Sequence, residues 1–274
     1  RLFHQAGIKV VALKGVSFAL TVYPSIALRP MGDMDLLVPK EKLADAIEVA
    51  KSFDYRNAAP DASPGLSNLL NHEIQLQKNG GQSIMLELHH SLVGVKAYSY
   101  AVPVGWFWEQ TEPLKPSSSK MFFGNLFMLT PEAQVLFAAG HAMLQHGRQF
   151  SPMRWFYDLD QLIRLYNARM DWELLLSQAK AFEWGSALDE TLKQTVAYFN
   201  TPVPERVLVS LSEVSDRYRG LVEIKPTRLT THTLLEHHKL LSLNASGRFR
   251  RILALLIPSP SYMRWRYKLK SSWL

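Results

Sequence analysis

The sequence predicts an α+β protein: a mixed sheet with flanking helices comes first, and an all-α unit follows. Three observations carry this. Short apolar runs with twofold alternation, bounded by Gly, Pro and Asn, are confined to the first 129 residues. Thr130-Pro131-Glu132 then reads as a helix start, with an N-cap, a proline in the first position and an acid behind it. Beyond it only helical spacing recurs, so the chain divides into residues 1–129 and 130–274.

Lys9 to Leu13 is a short apolar strand that runs into Lys14-Gly15-Val16-Ser17, a turn in which glycine lets backbone come close to a ligand. Phe18 to Val22 reads as a helical turn. Asp33 and Asp35 lead into Leu36-Leu37-Val38, a buried strand, and Pro39 opens a helix over Lys40 to Phe53. Asn57 to Asn68 reads as loop. His72 to Lys78 and Ser83 to His90 alternate on either side of Asn79-Gly80-Gly81, a hairpin pattern. Val104 to Glu109 is aromatic, Pro113 to Lys120 is a loop, and Lys120 to Leu129 is a last strand or hairpin turning at Gly124-Asn125. Helices are then expected from Thr130 to His146, Ser151 to Tyr166, from Asp171, and over Ala187–Phe199, Pro204–Val214, Leu229–Leu243, Phe249–Ile257 and Tyr262–Lys270. No internal repeat is seen.

Composition narrows the class. With 274 residues, 47% apolar and 20% charged, the chain can bury a large core and is not a disordered type. Having no cysteine excludes disulfides and cysteine-bound zinc and suits a reducing cytosol. The apolar run Ile252–Ile257 is too short to span a bilayer, and no basic-then-apolar signal opens the sequence. The net charge is +7, and Arg248, Arg250, Arg251, Arg264, Arg266, Lys268 and Lys270 gather at the C-terminal end without an acid. That end is either a solvated helical face or a contact for nucleic acid or anionic lipid.

The chemistry concentrates in three acids. Asp33 and Asp35 are two apart, so in a strand they share a face. Like charges held that close are relieved by a divalent ion with oxygen ligands, and Mg²⁺ takes carboxylates together with substrate phosphates. Glu87 lies mid-strand with His89 two residues on, which is unusual unless that face looks into a site. The plainer alternatives are a solvated turn for Asp33/Asp35 and an edge strand for Glu87. His89 and His90 alternate, so one of them lines a cleft and its neighbour points away; His89 as a transition-metal ligand in a hydrolase is the third alternative. His141 and His146 are five apart, not the four that sets two ligands on one α-helical face. Arg154 and Asp158, four apart, fit an intrahelical pair or a cleft wall, and Trp155, Phe156, Leu159 and Leu162 fit a core.

The order strand–glycine turn–helix, then Asp-x-Asp, then a later acid resembles the polymerase-β-type nucleotidyltransferase superfamily. Leu13-Lys14-Gly15, Arg29, Asp33-Met34-Asp35-Leu36-Leu37-Val38 and Glu87-Leu88-His89 resemble more closely the uncharacterised nucleotidyltransferases often found beside bacterial polysaccharide genes. His141, His146, Arg154-Trp155 and Asp158-Leu159-Asp160 fit that family's later part. The resemblance implies Asp33, Asp35 and Glu87 as catalytic metal ligands for two Mg²⁺ ions, with Mn²⁺ as an alternative. It implies Lys14, Gly15, Ser17 and Arg29 at the triphosphate of an NTP such as ATP, and a hydroxyl or phosphate acceptor that displaces pyrophosphate. His89, Arg154 and Asp158 would border the cleft. The competing expectation is a non-catalytic nucleotide- or partner-binding protein of the same fold.

Overall fold

A computed structural model describes residues 2–63, 71–78, 84–92, 102–115, 126–147, 151–214, 216, 219 and 244–268. A short helix, α1 (Leu2–Gln5), leads into strand β1 (Val10–Ala12) and helix α2 (Lys14–Thr21). Strand β2 (Asp33–Leu37) is followed by α3 (Leu43–Lys51) and by strands β3 (Tyr55–Asn57), β4 (Glu73–Lys78) and β5 (Met85–His89). After α4 (Val104–Glu109) come β6 (Thr111–Pro113) and β7 (Leu126–Leu129). The rest is helical: α5 (Pro131–Ala139), a π-helical turn over Gly140–His146, α6 (Met153–Tyr166), α7 (Trp172–Ala181), α8 (Gly185–Phe199), α9 (Glu205–Ser212), α10 (Ala245–Leu256) and α11 (Pro260–Tyr267). This is the α+β order that the sequence predicts, a mixed sheet with flanking helices first and helices after it. Among the described residues no helix is long and apolar enough to cross a membrane.

The strands form one mixed sheet in the order β3-β4-β5-β2-β1-β7-β6. Its centre is β2, antiparallel to β1 and parallel to β5. Strand alternation then sorts the residues by face. Met34, Leu36, Leu86 and Leu88 turn toward α3, where Leu43, Ala46 and Ala50 complete a small core. Val11, Leu13, Leu37 and Leu129 turn the other way, onto α5, α6 and α8. That second core crosses residue 130 without a break, running from Val11 to Leu211. Each fully buried leucine in it is worth about 1.5–3 kcal/mol over exposure. The helical half is therefore packed on the same sheet face from which Asp33, Asp35 and Glu87 project.

Several boundaries differ from the sequence expectation, each for a local reason. Helix α2 begins at Lys14 and not at Phe18, because Lys14 itself takes a left-handed φ of 43° and closes the strand-to-helix turn. Strands β3 and β6, which begin where no element was expected and end on the first residues of the expected loops, are three-residue pieces at the two edges of the sheet, where Pro113 costs no central ladder bond. Helix α10 starts four residues earlier than Phe249, because the Asn244 side chain accepts from the Gly247 N–H at 2.8 Å. The expected turns at 79–81 and 124–125 and the helix at 229–243 lie outside the described residues.

The largest departure lies at the end of α5. The helix expected to run on to His146 widens at Gly140 into seven residues of π-helix. The indole of Trp184 lies on Gly140 so closely that a Cβ there would sit 2.8 Å from a ring carbon. A π turn holds more residues per revolution than an α turn and is found frequently at functional sites.

Candidate active site

The register of two strands decides which acids meet. In the parallel pair β2–β5, Asp33 stands opposite Met85 and Asp35 opposite Glu87. Residues opposite one another in register share a face, so Asp33, Asp35 and Glu87 project from the same side of the sheet. Strand β4, antiparallel to β5, sets Gln75 opposite Glu87 and Glu73 opposite His89. This row faces a cavity of about 200 Å³. The sheet contributes Asp33, Asp35, Glu73, Gln75 and Glu87 to its lining, helix α2 and the segment before β2 add Lys14, Gly15 and Arg29, and the π turn and α6 add His141, Gln145, His146, Arg154 and Trp155. A larger groove of about 740 Å³ between α7 and α9 has no such convergence and borders residues outside the described set.

Asp35 is the hub. It is only 3% exposed, and one oxygen, Oδ1, takes both Lys14 Nζ at 2.8 Å and His89 Nε2 at 2.9 Å. Burial alone would raise its pKa; the hydrogen bond from His89 and the charge of Lys14 outweigh that and hold it far below the usual carboxylate range. Glu87 behaves in the opposite sense. Burial and the neighbouring charges of Glu73 and Asp35 raise it above an ordinary glutamate, against the opposing effect of the nearby His89 ring. Gln75 Nε2 donates to Glu87 Oε1 at 3.0 Å. His89 is fully buried, its Nε2 facing Asp35, Glu73 (3.3 Å) and Glu87 (3.8 Å). Burial opposes its cationic form, yet the hydrogen bond to Asp35 and the nearby carboxylates of Glu87 and Glu73 prevail and its pKa is raised.

The π turn brings together two residues that sequence spacing had separated. His146 Nε2 lies 3.1 Å from His141 Nε2, and Trp155 packs on both rings with centroids 5.0 and 4.5 Å away. The expectation that a spacing of five keeps them apart fails because it assumed α-helical pitch. Burial and the Lys14 charge depress both, His146 to about 4, so both are neutral near pH 7. Trp155 packs against the core as expected and also lines the cavity, while Phe156, Leu159 and Leu162 are buried as expected.

Three further residues of the expected site are engaged by contacts within the protein. Ser17, expected at the triphosphate, is fully buried and donates to Gln134 Oε1 at 3.1 Å. Arg29 borders the cavity, but its Nε and Nη2 both donate to Asp158 at 2.8 Å and its Nη1 donates to the Pro30 carbonyl. Asp158 is 2% exposed and also accepts from the Tyr23 hydroxyl at 2.8 Å, so it stands behind the cavity wall and not in it. Asp158 thus pairs with Arg29 from the sheet half, and no ion pair joins it to Arg154 among the described residues. Gly15 sits beneath that guanidinium, where a Cβ would meet Nη2 at 3.4 Å. Sequence reasoning passed over His72, Glu73, Gln75 and Gln145. The signal for Glu73 and Gln75 was present: in an antiparallel hairpin their parity on β4 matches that of Glu87 and His89 on β5.

A family model described as uncharacterised nucleotidyltransferase matches residues 1–200. The chain belongs to that family. Curated proteins yield no significant match. The match to the uncharacterised nucleotidyltransferases spans every residue of the cavity, from Lys14 to Trp155. A transferase role in nucleotidyl chemistry follows in general terms. The acids and histidines of this family member also include two groups, Asp35/Glu87/His89 and His72/Glu73/His89, whose donor atoms all lie within 4.8 Å of one another and are able to hold a metal ion.

Proposed function

We propose that the protein transfers a nucleotidyl group from an NTP to a hydroxyl or phosphate acceptor in a Mg²⁺-dependent reaction that releases pyrophosphate. The observation that carries this reading is the in-register placement of Asp33, Asp35 and Glu87 on one cavity floor. The donor set fits a hard divalent ion, because three carboxylates crowd one cavity with more lone pairs than hydrogens to share. Bound there by Asp33, Asp35 and Glu87, Mg²⁺ would offset phosphate charge and align the reacting oxygens. Lys14 and Arg154, both lining the cavity, present positive charge to the triphosphate. Glu87, with its proton affinity raised by burial, Glu73 and Asp35, suits the general base. The acceptor oxygen forms its bond to the α-phosphorus, its proton passes to a Glu87 carboxylate oxygen, and the bond to the pyrophosphate oxygen breaks. His141 and His146, uncharged, line the cavity without adding cations.

One observation favours a second reading, a nucleotide-binding protein without transfer: Asp35 is already neutralised by Lys14 and His89. Incubation with α-labelled NTPs, Mg²⁺ and cell extract separates the two. Label on an extract component, lost with Asp35→Asn, supports transfer; Mg²⁺-dependent NTP binding with no labelled product supports the binder.

A further inference from the structure

At the β4 end of the cavity floor, hydrogens are too few for the lone pairs that face one another. His72 Nε2 lies 3.1 Å from Glu73 Oε2, which needs a hydrogen from it. The same Nε2 lies 3.2 Å from the amide nitrogen of Gln145, which needs its lone pair. One nitrogen cannot meet both demands. Turning the Gln145 amide over removes the second, and its Oε1, buried and without a hydrogen-bond partner as placed, would then face His72. His89 Nε2 faces three carboxylate oxygens with at most one hydrogen to give.

A cation answers all of these demands at once, and the donors name its class. Two imidazole nitrogens with one carboxylate oxygen match a borderline transition dication, whereas Mg²⁺ prefers oxygen alone. The separations of 3.1 and 3.3 Å from Glu73 Oε2 to the two nitrogens suit donors bound about 2.0–2.2 Å from one ion. We infer that His72, Glu73 and His89 form a transition-metal site of the Zn²⁺ or Mn²⁺ class, with the Gln145 side-chain oxygen facing it from the π turn. The site goes beyond the Mg²⁺-dependent transfer proposed above and does not depend on it. Because His89 would turn its Nε2 lone pair to this ion, Asp35 would lose one of its two internal partners and be freer to serve the nucleotide.

The test is zinc titration of metal-stripped protein by calorimetry in a large excess of Mg²⁺, with Co²⁺ absorption as a second reading of nitrogen ligation. The expected result is one Zn²⁺ per chain, bound at least about tenfold more weakly in His72→Ala and in Glu73→Gln, and unchanged in Asp33→Asn. Glu73→Gln keeps side-chain size and guards against a folding defect in His72→Ala. No zinc uptake against Mg²⁺, or uptake indifferent to both substitutions, overturns the site. Thermal stabilisation by Mg²⁺ and NTP, read on the same samples, reports the transfer reading separately. Its absence with zinc binding intact leaves this site standing.

Discussion

Replacing Arg29 by methionine should destabilise the fold far more than a loop substitution normally does. The Arg29 and Asp158 side chains are 7% and 2% exposed, and the guanidinium supplies both Asp158 oxygens with hydrogen bonds. Methionine fills similar space and leaves Asp158 with the Tyr23 hydroxyl alone. Breaking a buried pair from one side costs about 3–5 kcal/mol, because the remaining charge loses its compensation. At roughly 2–4 °C per kcal/mol for a protein of this size, Tm should fall by about 6–20 °C. The pH dependence has a definite sign. Burial raises Asp158 above its ordinary value, while the bonds from Arg29 and Tyr23 oppose this. Without Arg29 the folded carboxyl binds its proton still more tightly, and a group with a raised folded pKa loses stability as pH rises. The deficit of Arg29→Met should therefore be larger at pH 8 than at pH 5. Urea unfolding of the wild type, Arg29→Met, Asp158→Leu and the double variant at both pH values reads this directly. The double variant should recover much of the loss. A single-variant cost under about 1 kcal/mol, or strictly additive losses, refutes the claim that this pair ties the sheet half to the helices.

Gly140→Ala should cost about 1–3 kcal/mol by overpacking against Trp184, measured by urea unfolding, where an equally large alanine at exposed Gly32 should cost much less. His141 and His146 are depressed by burial and Lys14, so the folded chain takes up fewer protons there than the unfolded chain. Stability should therefore fall as pH drops from about 6.5 to about 4, and His146→Gln should flatten that slope in a Tm-versus-pH series. Ser17→Ala should leave Mg²⁺-NTP binding unchanged while lowering Tm slightly, since Ser17 serves Gln134 and not the cavity.

Much of the site was legible because strand alternation is a local rule. Asp33-x-Asp35 and Glu87-x-His89 declare their faces in sequence, and a parallel register joined them. What alternation does not carry is the neighbour that arrives from elsewhere. Asp158 reaches Arg29 across 129 residues, so an arginine expected at the phosphates also serves as a buried tie between the halves. Ser17 followed a glycine turn in the expected way, yet helix α2 begins three residues before it and rotates it onto α5. His141 and His146 were separated by an α-helical ruler. The π turn that unites them depends on Trp184 filling the space over Gly140, which no window around residue 140 contains.

The measurement that bears most directly on the central claim is a thermal-shift comparison of wild type with Asp33→Asn and Asp35→Asn, across the NTPs, with and without Mg²⁺. Nucleotide and Mg²⁺ together should stabilise the wild type, neither alone should match them, and both variants should lose the joint effect while staying folded. Stabilisation by NTP that ignores Mg²⁺, or that survives in both variants, would contradict a cation held by these acids.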